Sequence, residues 1–251
     1  VLNNKSNWQS TNKLLARGAI IPRSVWTGSW QGGTPTSTKN VIIQSSVTSP
    51  GTFSAQDVRI DPGYAFTINA GNVATIYGDL YNYGSVNSNG AIEFYNVSDT
   101  ADIYGDTVKF IGIIRISSST VLRTNNLLNL NATGAFAYGQ IGTGGPYNGT
   151  IVGNLTASYY ISGGGNGYRH LGAPVNGATL AEINDDVPLN FGTPSSIFQN
   201  VYQFNESGVS PHWQPATGLS QSMDNAGFAV FIKADQLPLK IDITGQYFGT
   251  D

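Results

Sequence analysis

Val58-Arg59-Ile60-Asp61-Pro62-Gly63, Phe66-Thr67-Ile68-Asn69-Ala70-Gly71 and Thr75-Ile76-Tyr77-Gly78-Asp79 are the runs whose reading decides the fold. Each is a short burst of β-branched or aromatic residues closed by residues that favour turns. Ile60, Ile68 and Ile76 fall eight apart, a step too long for a helical turn and suited to one strand plus one bend. Three such steps make a coil of about 24 residues, within the range of solenoid repeats. The expectation is an all-β chain built on a right-handed parallel β-helix, with Ile, Val and Leu stacked inside and Asn and Gly at the bends. An antiparallel sandwich with hairpins at these turns has a similar periodicity; the short, even runs favour the solenoid.

Working outward, the pattern begins at Val41-Ile42-Ile43 and continues through Val108-Lys109-Phe110-Ile111, Ile113-Ile114-Arg115-Ile116 and Leu127-Leu128-Asn129-Leu130 until the Gly-rich stretch Gly139 to Gly149 breaks it. This divides the chain into an N-terminal lead-in and capping segment (1–40), a β-helix domain (41–150) and a small β-sandwich-like domain (151–251). In the first, Trp8, Trp26 and Trp30 read as aromatics that cap the end of a core, with a sugar platform as the alternative. In the third, Leu155 to Ile161 and Tyr168 to Leu171 read as strands joined by a hairpin turn at Gly163-Gly164-Gly165-Asn166-Gly167. Its one short helix is expected over Thr179 to Asp186, with Thr179 and Glu182 as a capping box. Strands are expected at Val201–Phe204, Phe228–Ile232 and Leu239–Thr244.

Charged residues are 11% of the 251, against roughly 25% in an average soluble domain, while 31 Gly and 13 Tyr accompany abundant Asn, Ser and Thr. Polar strand positions are thus filled by uncharged side chains. The net charge of −3 and twelve scattered basic residues argue against nucleic acid as a partner. With no cysteine, disulfides, thiolate metal sites and cysteine nucleophiles are excluded. No apolar run of about 18 residues is present, so no membrane span is expected. The opening Val1-Leu2-Asn3 and the strand-like ending Ile241 to Gly245 read as those of a processed product or a piece of a longer protein.

Enzyme signatures such as Gly-x-Ser-x-Gly, His-Glu-x-x-His or a phosphate-binding loop do not occur, and the two histidines, His170 and His212, lie far apart in sequence. A polysaccharide lyase on a β-helix would draw on Asp57, Arg59 and Asp61, or on Lys109, Arg115 and Arg123; charges on a solvated outer face are the simpler reading. Calcium is the one cofactor considered, at Asp99, Asp102 and Asp106 or at Asn184, Asp185 and Asp186, because neighbouring oxygen donors suit it. Asp and Asn at turns serve the backbone equally well.

Ile151 to Ile161, the glycine turn and Tyr168-Arg169-His170-Leu171-Gly172-Ala173-Pro174-Val175, together with Pro35 to Ile43 upstream, resemble passages of large Bacteroidota surface proteins exported by the type IX secretion system. The resemblance implies a secreted or cell-surface location, outside the outer membrane, and a structural or adhesive role. It also implies O-glycosylation of Asp-Thr-apolar sites, here Thr100 and Thr107. The function expected is a non-catalytic surface module, with other surface proteins or glycans as partners. The alternatives are a carbohydrate-binding module stacking sugars on Trp26, Trp30, Tyr81, Tyr83 and Trp213, and a lyase.

Overall fold

A computed structural model of the chain describes residues 22–49, 51–96, 100–134, 137–192, 198–206, 212–224 and 226–248. It divides into two compact units, one of residues 1–127 and 140–151, the other of residues 128–139 and 152–251. Leu128–Leu130, which the repeating pattern assigns to the solenoid, therefore belongs with the second unit. Among the described residues no helix is long and apolar enough to cross a membrane.

The first unit is a β-solenoid of three parallel sheets. One runs Arg23–Trp26, Asn40–Ile43, Val58–Ile60, Leu80–Asn82, Thr100–Gly105, Val121–Arg123, Thr150–Val152; the second joins Val47–Thr48, Ala65–Ile68 and Ser85–Ser88; the third joins Phe53–Ala55, Val73–Ile76, Ala91–Phe94, Ile113–Ile116 and Gln140–Gly142. Ile60, Ile68 and Ile76 fall one to each sheet, and each is wholly buried. The eight-residue spacing is thus one side of a three-sided coil. Coil length varies: the register pairs Val41 with Val58, Val58 with Leu80 and Ala101 with Leu122, steps of 17, 22 and 21 residues. The expected 24 lies inside the observed spread, because the last coil is longer: Ile114 pairs with Ile141, a step of 27 residues.

Stacking is literal inside the coils. Ala55, Ile76, Phe94 and Ile116 occupy one register column of the third sheet and are all buried. Burial of Ile76, Phe94 and Ile116 contributes roughly 1.5–3 kcal/mol for each side chain removed from water. The corners stack as well, through a polar ladder. The Asp79 N–H donates to Asp57 Oδ1 and the Asp102 N–H to Asp79 Oδ1, both at 3.0 Å, and Asn125 Nδ2 donates to Ile103 O at 2.9 Å. At another corner a Cβ on Gly112 would collide with the carbonyl oxygen of Gly90 in the coil before it, so only glycine fits.

The solenoid starts before the expected boundary at residue 41, since Arg23–Trp26 already pairs in parallel with Asn40–Ile43. Trp30 returns antiparallel beside Trp26. Their rings meet edge-on at 5.0 Å, Trp30 lies 6.3 Å from Phe53, and Phe53 lies 5.1 Å from Phe66. Trp8 lies outside the described residues.

In the second unit, one sheet orders Leu128–Leu130, Asn154–Ile161, Leu239–Tyr247 and Val175–Asn176; another, wholly antiparallel, orders Gly167–Gly172, Gly227–Ile232, Val201–Phe204 and Trp213–Pro215. The expected hairpin across Gly163–Gly167 does not form, because its two flanking strands lie in different sheets. Asn154–Ile161 instead takes an eight-residue antiparallel pairing with Leu239 to Gln246. A glycine-rich connection imposes no register of its own, and the longer pairing wins.

The helix is shorter than expected, Ala181–Asn184, and has no side-chain cap. Glu182 is diverted: its Oε2 accepts the Thr244 N–H at 3.0 Å, while Asp186 Oδ2 accepts the Asp242 N–H at 2.8 Å. The strand Leu239–Tyr247 has a neighbour on that edge only at Gln246 and Tyr247. Its remaining donors need acceptors, and that demand outcompetes the capping box.

Candidate aromatic binding face

Strand alternation builds the site. In Gly227–Ile232, Phe228, Val230 and Ile232 are wholly buried, which turns Ala229 and Phe231 to the other face. The register carries that face across the sheet: His170 lies opposite Ala229, Tyr168 opposite Phe231, Tyr202 opposite Ala229, and Trp213 opposite Phe204. Behind them Val201 pairs with Val230 in the core. The sheet is therefore apolar on both faces, and one of them is aromatic and open. Tyr168 is 43% exposed, and Phe204 and Trp213 are each 36% exposed.

Tyr168, His170, Tyr202 and Trp213 surround a groove of about 310 Å³ with Ala229 in its lining, near the lower end of small-ligand site volumes. The methyl of Ala229 makes the depression between larger neighbours. The rings brace one another: Tyr168 meets Tyr202 at 5.8 Å and Phe231 at 5.3 Å, both edge-on, while Trp213 lies 5.2 Å from His170 and 5.0 Å from Phe204. Such pairs hold aromatic planes in place beyond what burial alone achieves. Burial, with Tyr202 beside it, pushes the Tyr168 hydroxyl above its ordinary pKa, so it remains a hydrogen-bond donor at neutral pH. Among the described residues that line the groove, none carries a carboxylate or an amine.

Of the five sugar-stacking candidates, only Trp213 belongs to this groove. Trp26 and Trp30 form the edge-on pair of the solenoid's first coil. Tyr81 stacks on Tyr104 at 5.0 Å and 19° and donates to Asp79 Oδ2 at 3.0 Å. Burial and the neighbouring Asp79 and Asp57 hold the Tyr81 hydroxyl far above its ordinary pKa; burial and Asp102 push Tyr104 up to about 12. Tyr83 lies beside the Arg59 guanidinium, 5.8 Å from its carbon. Sequence reading missed Tyr168, His170, Tyr202 and Phe204 as members of one site. The signal was present in Tyr168-x-His170 and Tyr202-x-Phe204, aromatic rings at alternate strand positions.

Asp57, Arg59 and Asp61 do share a strand region, yet they are buried at 2%, 3% and 8% exposure and not solvated. Arg59 Nε pairs with Asp61 Oδ1 at 2.6 Å, and Gln44 Nε2 donates to Asp61 Oδ2 at 2.9 Å. That buried pair is engaged structurally. Lys109, Arg115 and Arg123 lie on three different strands, Val108–Phe110, Ile113–Ile116 and Val121–Arg123, and Arg115 packs 5.3 Å from the Tyr147 ring.

Among the calcium candidates, Asp99 lies outside the described residues. Asp102 accepts from Asn125 Nδ2 at 3.3 Å, and Asp106 is exposed at the end of that strand. Asn184 Oδ1 accepts the Leu189 N–H at 2.9 Å, Asp186 accepts from Asp242, and Asp185 is exposed. No three acidic, histidine or cysteine side chains gather into a metal-holding group among the described residues. Thr100 is half-buried at the start of its strand and Thr107 is exposed at a corner.

Comparison with protein-family models, with curated proteins and with solved structures returned no match to this chain.

Proposed function

We propose that this chain is a non-catalytic adhesion module displayed outside the cell, with the solenoid as spacer and the open aromatic face of the second unit as its contact with glycan. One observation carries the reading. A sheet whose inner face is already apolar presents Tyr168, Tyr202, Phe204 and Trp213 on its outer face, where a solvated sheet would carry polar residues. Aromatic planes pack against the apolar faces of sugar rings, and the Tyr168 and Tyr202 hydroxyls supply hydrogen bonds at the rim. Ladders of main-chain bonds between coils support the spacer role, because each coil braces the next.

Affinity electrophoresis through gels containing soluble β-glucan, mannan, xylan or galactan tests the reading. The chain should be retarded in at least one gel, and Trp213→Ala should restore free mobility while leaving the circular dichroism spectrum unchanged. Free mobility in every gel, or retardation that survives both Trp213→Ala and Tyr202→Ala, would refute it.

A further inference from the structure

Ala229 sits low between rings and forms the floor of the groove. We infer that this floor is a pit for the methyl of an acetyl group, so that the face selects acetylated saccharides over their unsubstituted counterparts. This rests on the glycan-contact reading above and names the ligand class of the same groove.

Across the sheet Ala229 stands between His170 and Tyr202, with Pro215 beyond Tyr202, and two residues along its own strand stands Phe231. Tyr168 and Trp213 complete the lining. Although it is turned to the outer face, Ala229 is only 6% exposed, because the rings around it overhang it. Those walls are braced in pairs, Tyr168 on Tyr202 at 5.8 Å and Trp213 on His170 at 5.2 Å. In the other direction along the strand stands Gly227. A Cβ built there would meet nothing nearer than Phe204 Cβ at 3.9 Å, and its φ is not positive, so neither packing nor backbone conformation demands glycine. Its missing side chain leaves an approach to the pit, as strand glycines do where a ligand comes close.

A whole sugar ring is too broad to reach a floor so nearly covered, whereas a methyl group is not. The ring stays above, on Trp213 and Tyr202, while a short substituent projecting from it drops between the walls. Aromatic carbon and the Ala229 methyl favour an apolar end on that substituent. A hydroxyl placed against the Ala229 methyl would give up water without a partner there. An acetyl group meets both demands: a methyl for the pit and, next to it, a carbonyl oxygen that accepts from the Tyr202 hydroxyl at the rim. One methyl seated in such a pocket, or missing from it, changes affinity by about tenfold or more.

The experiment is fluorescence titration of the whole chain with two pairs of hexamers. Chitohexaose and cellohexaose differ at each ring in an acetamido group against a hydroxyl; acetylated and bare xylohexaose present the acetyl as an ester. In at least one pair the acetylated member should bind about tenfold or more tightly than the bare one, and the pair that shows the preference tells whether the amide or the ester is read. Ala229→Val fills the pit and should bring the two members of that pair to equal affinity, with the circular dichroism spectrum unchanged. Ala229→Gly deepens the pit by one methyl and should bind the propionylated form of the preferred hexamer more tightly than wild type does. Equal wild-type affinity within both pairs, or a preference that survives Ala229→Val, overturns the acetyl pit while leaving adhesion to glycan intact. Loss of all binding in Ala229→Val together with no gain for the propionyl form in Ala229→Gly overturns it too. Silence of the wild type toward all four hexamers also overturns the inference, and the polysaccharide gels above then decide the glycan reading separately.

Discussion

In the solenoid a strand's partner is the strand one coil away, whereas in the second unit Asn154–Ile161 pairs with Leu239–Tyr247 and brings Ser158 within hydrogen-bonding distance of Asp242, 84 residues on. The first arrangement repeats a local rule, and its side chains stack like on like: Phe94 over Ile76 and beneath Ile116. The second has no repeat. Its strands are chosen by length of pairing and by which faces can be covered, and one aromatic face is left open. Regularity produces a scaffold in one unit; irregularity produces a surface with chemistry in the other.

The largest effects are expected in the two cores. Phe94→Ala and Phe228→Ala each empty a wholly buried site and should cost about 3–5 kcal/mol, read from urea unfolding. Hydrogen exchange should separate them: in Phe94→Ala, protection should fall most in the adjoining coils, because coils depend on their nearest neighbours. In Phe228→Ala it should fall across the sheet Gly167–Gly172, Gly227–Ile232 and Val201–Phe204. Uniform loss in both variants would erase the distinction. Next, Gly112→Ala drives a methyl into the Gly90 carbonyl and should cost about 1–3 kcal/mol; an unchanged urea midpoint would contradict the close stacking of those corners.

Smaller effects sharpen the picture of the second unit. Trp213→Ala, at an edge strand, should cost about 1 kcal/mol through the ring contacts it loses, less than either core variant, while abolishing retardation by glycan, so stability and binding part company at one residue. Asp186 has the smallest expected effect. Burial raises its pKa above the ordinary carboxylate value, so the native state holds the proton more tightly than the unfolded chain. Its contribution favours folding below the unfolded pKa and is lost as pH rises through the raised folded one. Asp186→Asn keeps an acceptor for the Asp242 N–H and removes the charge. It should therefore match wild type at acidic pH and gain at most about 0.5 kcal/mol at neutral pH, given solvent screening. Urea midpoints at the two pH values check this, and a loss at neutral pH would reverse the sign.

The coil was legible because Ile60, Ile68 and Ile76 repeat a distance that only one strand and one bend can span. The start at Arg23 was not, since a strand of four residues among Ser, Pro and Gly carries no period. Glu182 shows why local motifs mislead: a capping box is worth about 1 kcal/mol, and the Thr244 N–H on the strand edge competes for the same carboxylate. At the candidate site Trp213 was visible as an aromatic, while its neighbours Tyr168, His170 and Tyr202 arrive from strands up to 45 residues away in sequence.

Near-neighbour alternation and turn chemistry were enough to tell from the residues that the described part of the chain is nearly all β, that coils stack up to about residue 127, and that uncharged polar and aromatic residues cover the strands. Only the tertiary structure decided which strands meet in the second unit, which charges are buried and which rings share a groove. Pairing over long separations is settled by the competition of whole edges and faces for partners, and no stretch of a few residues records its outcome.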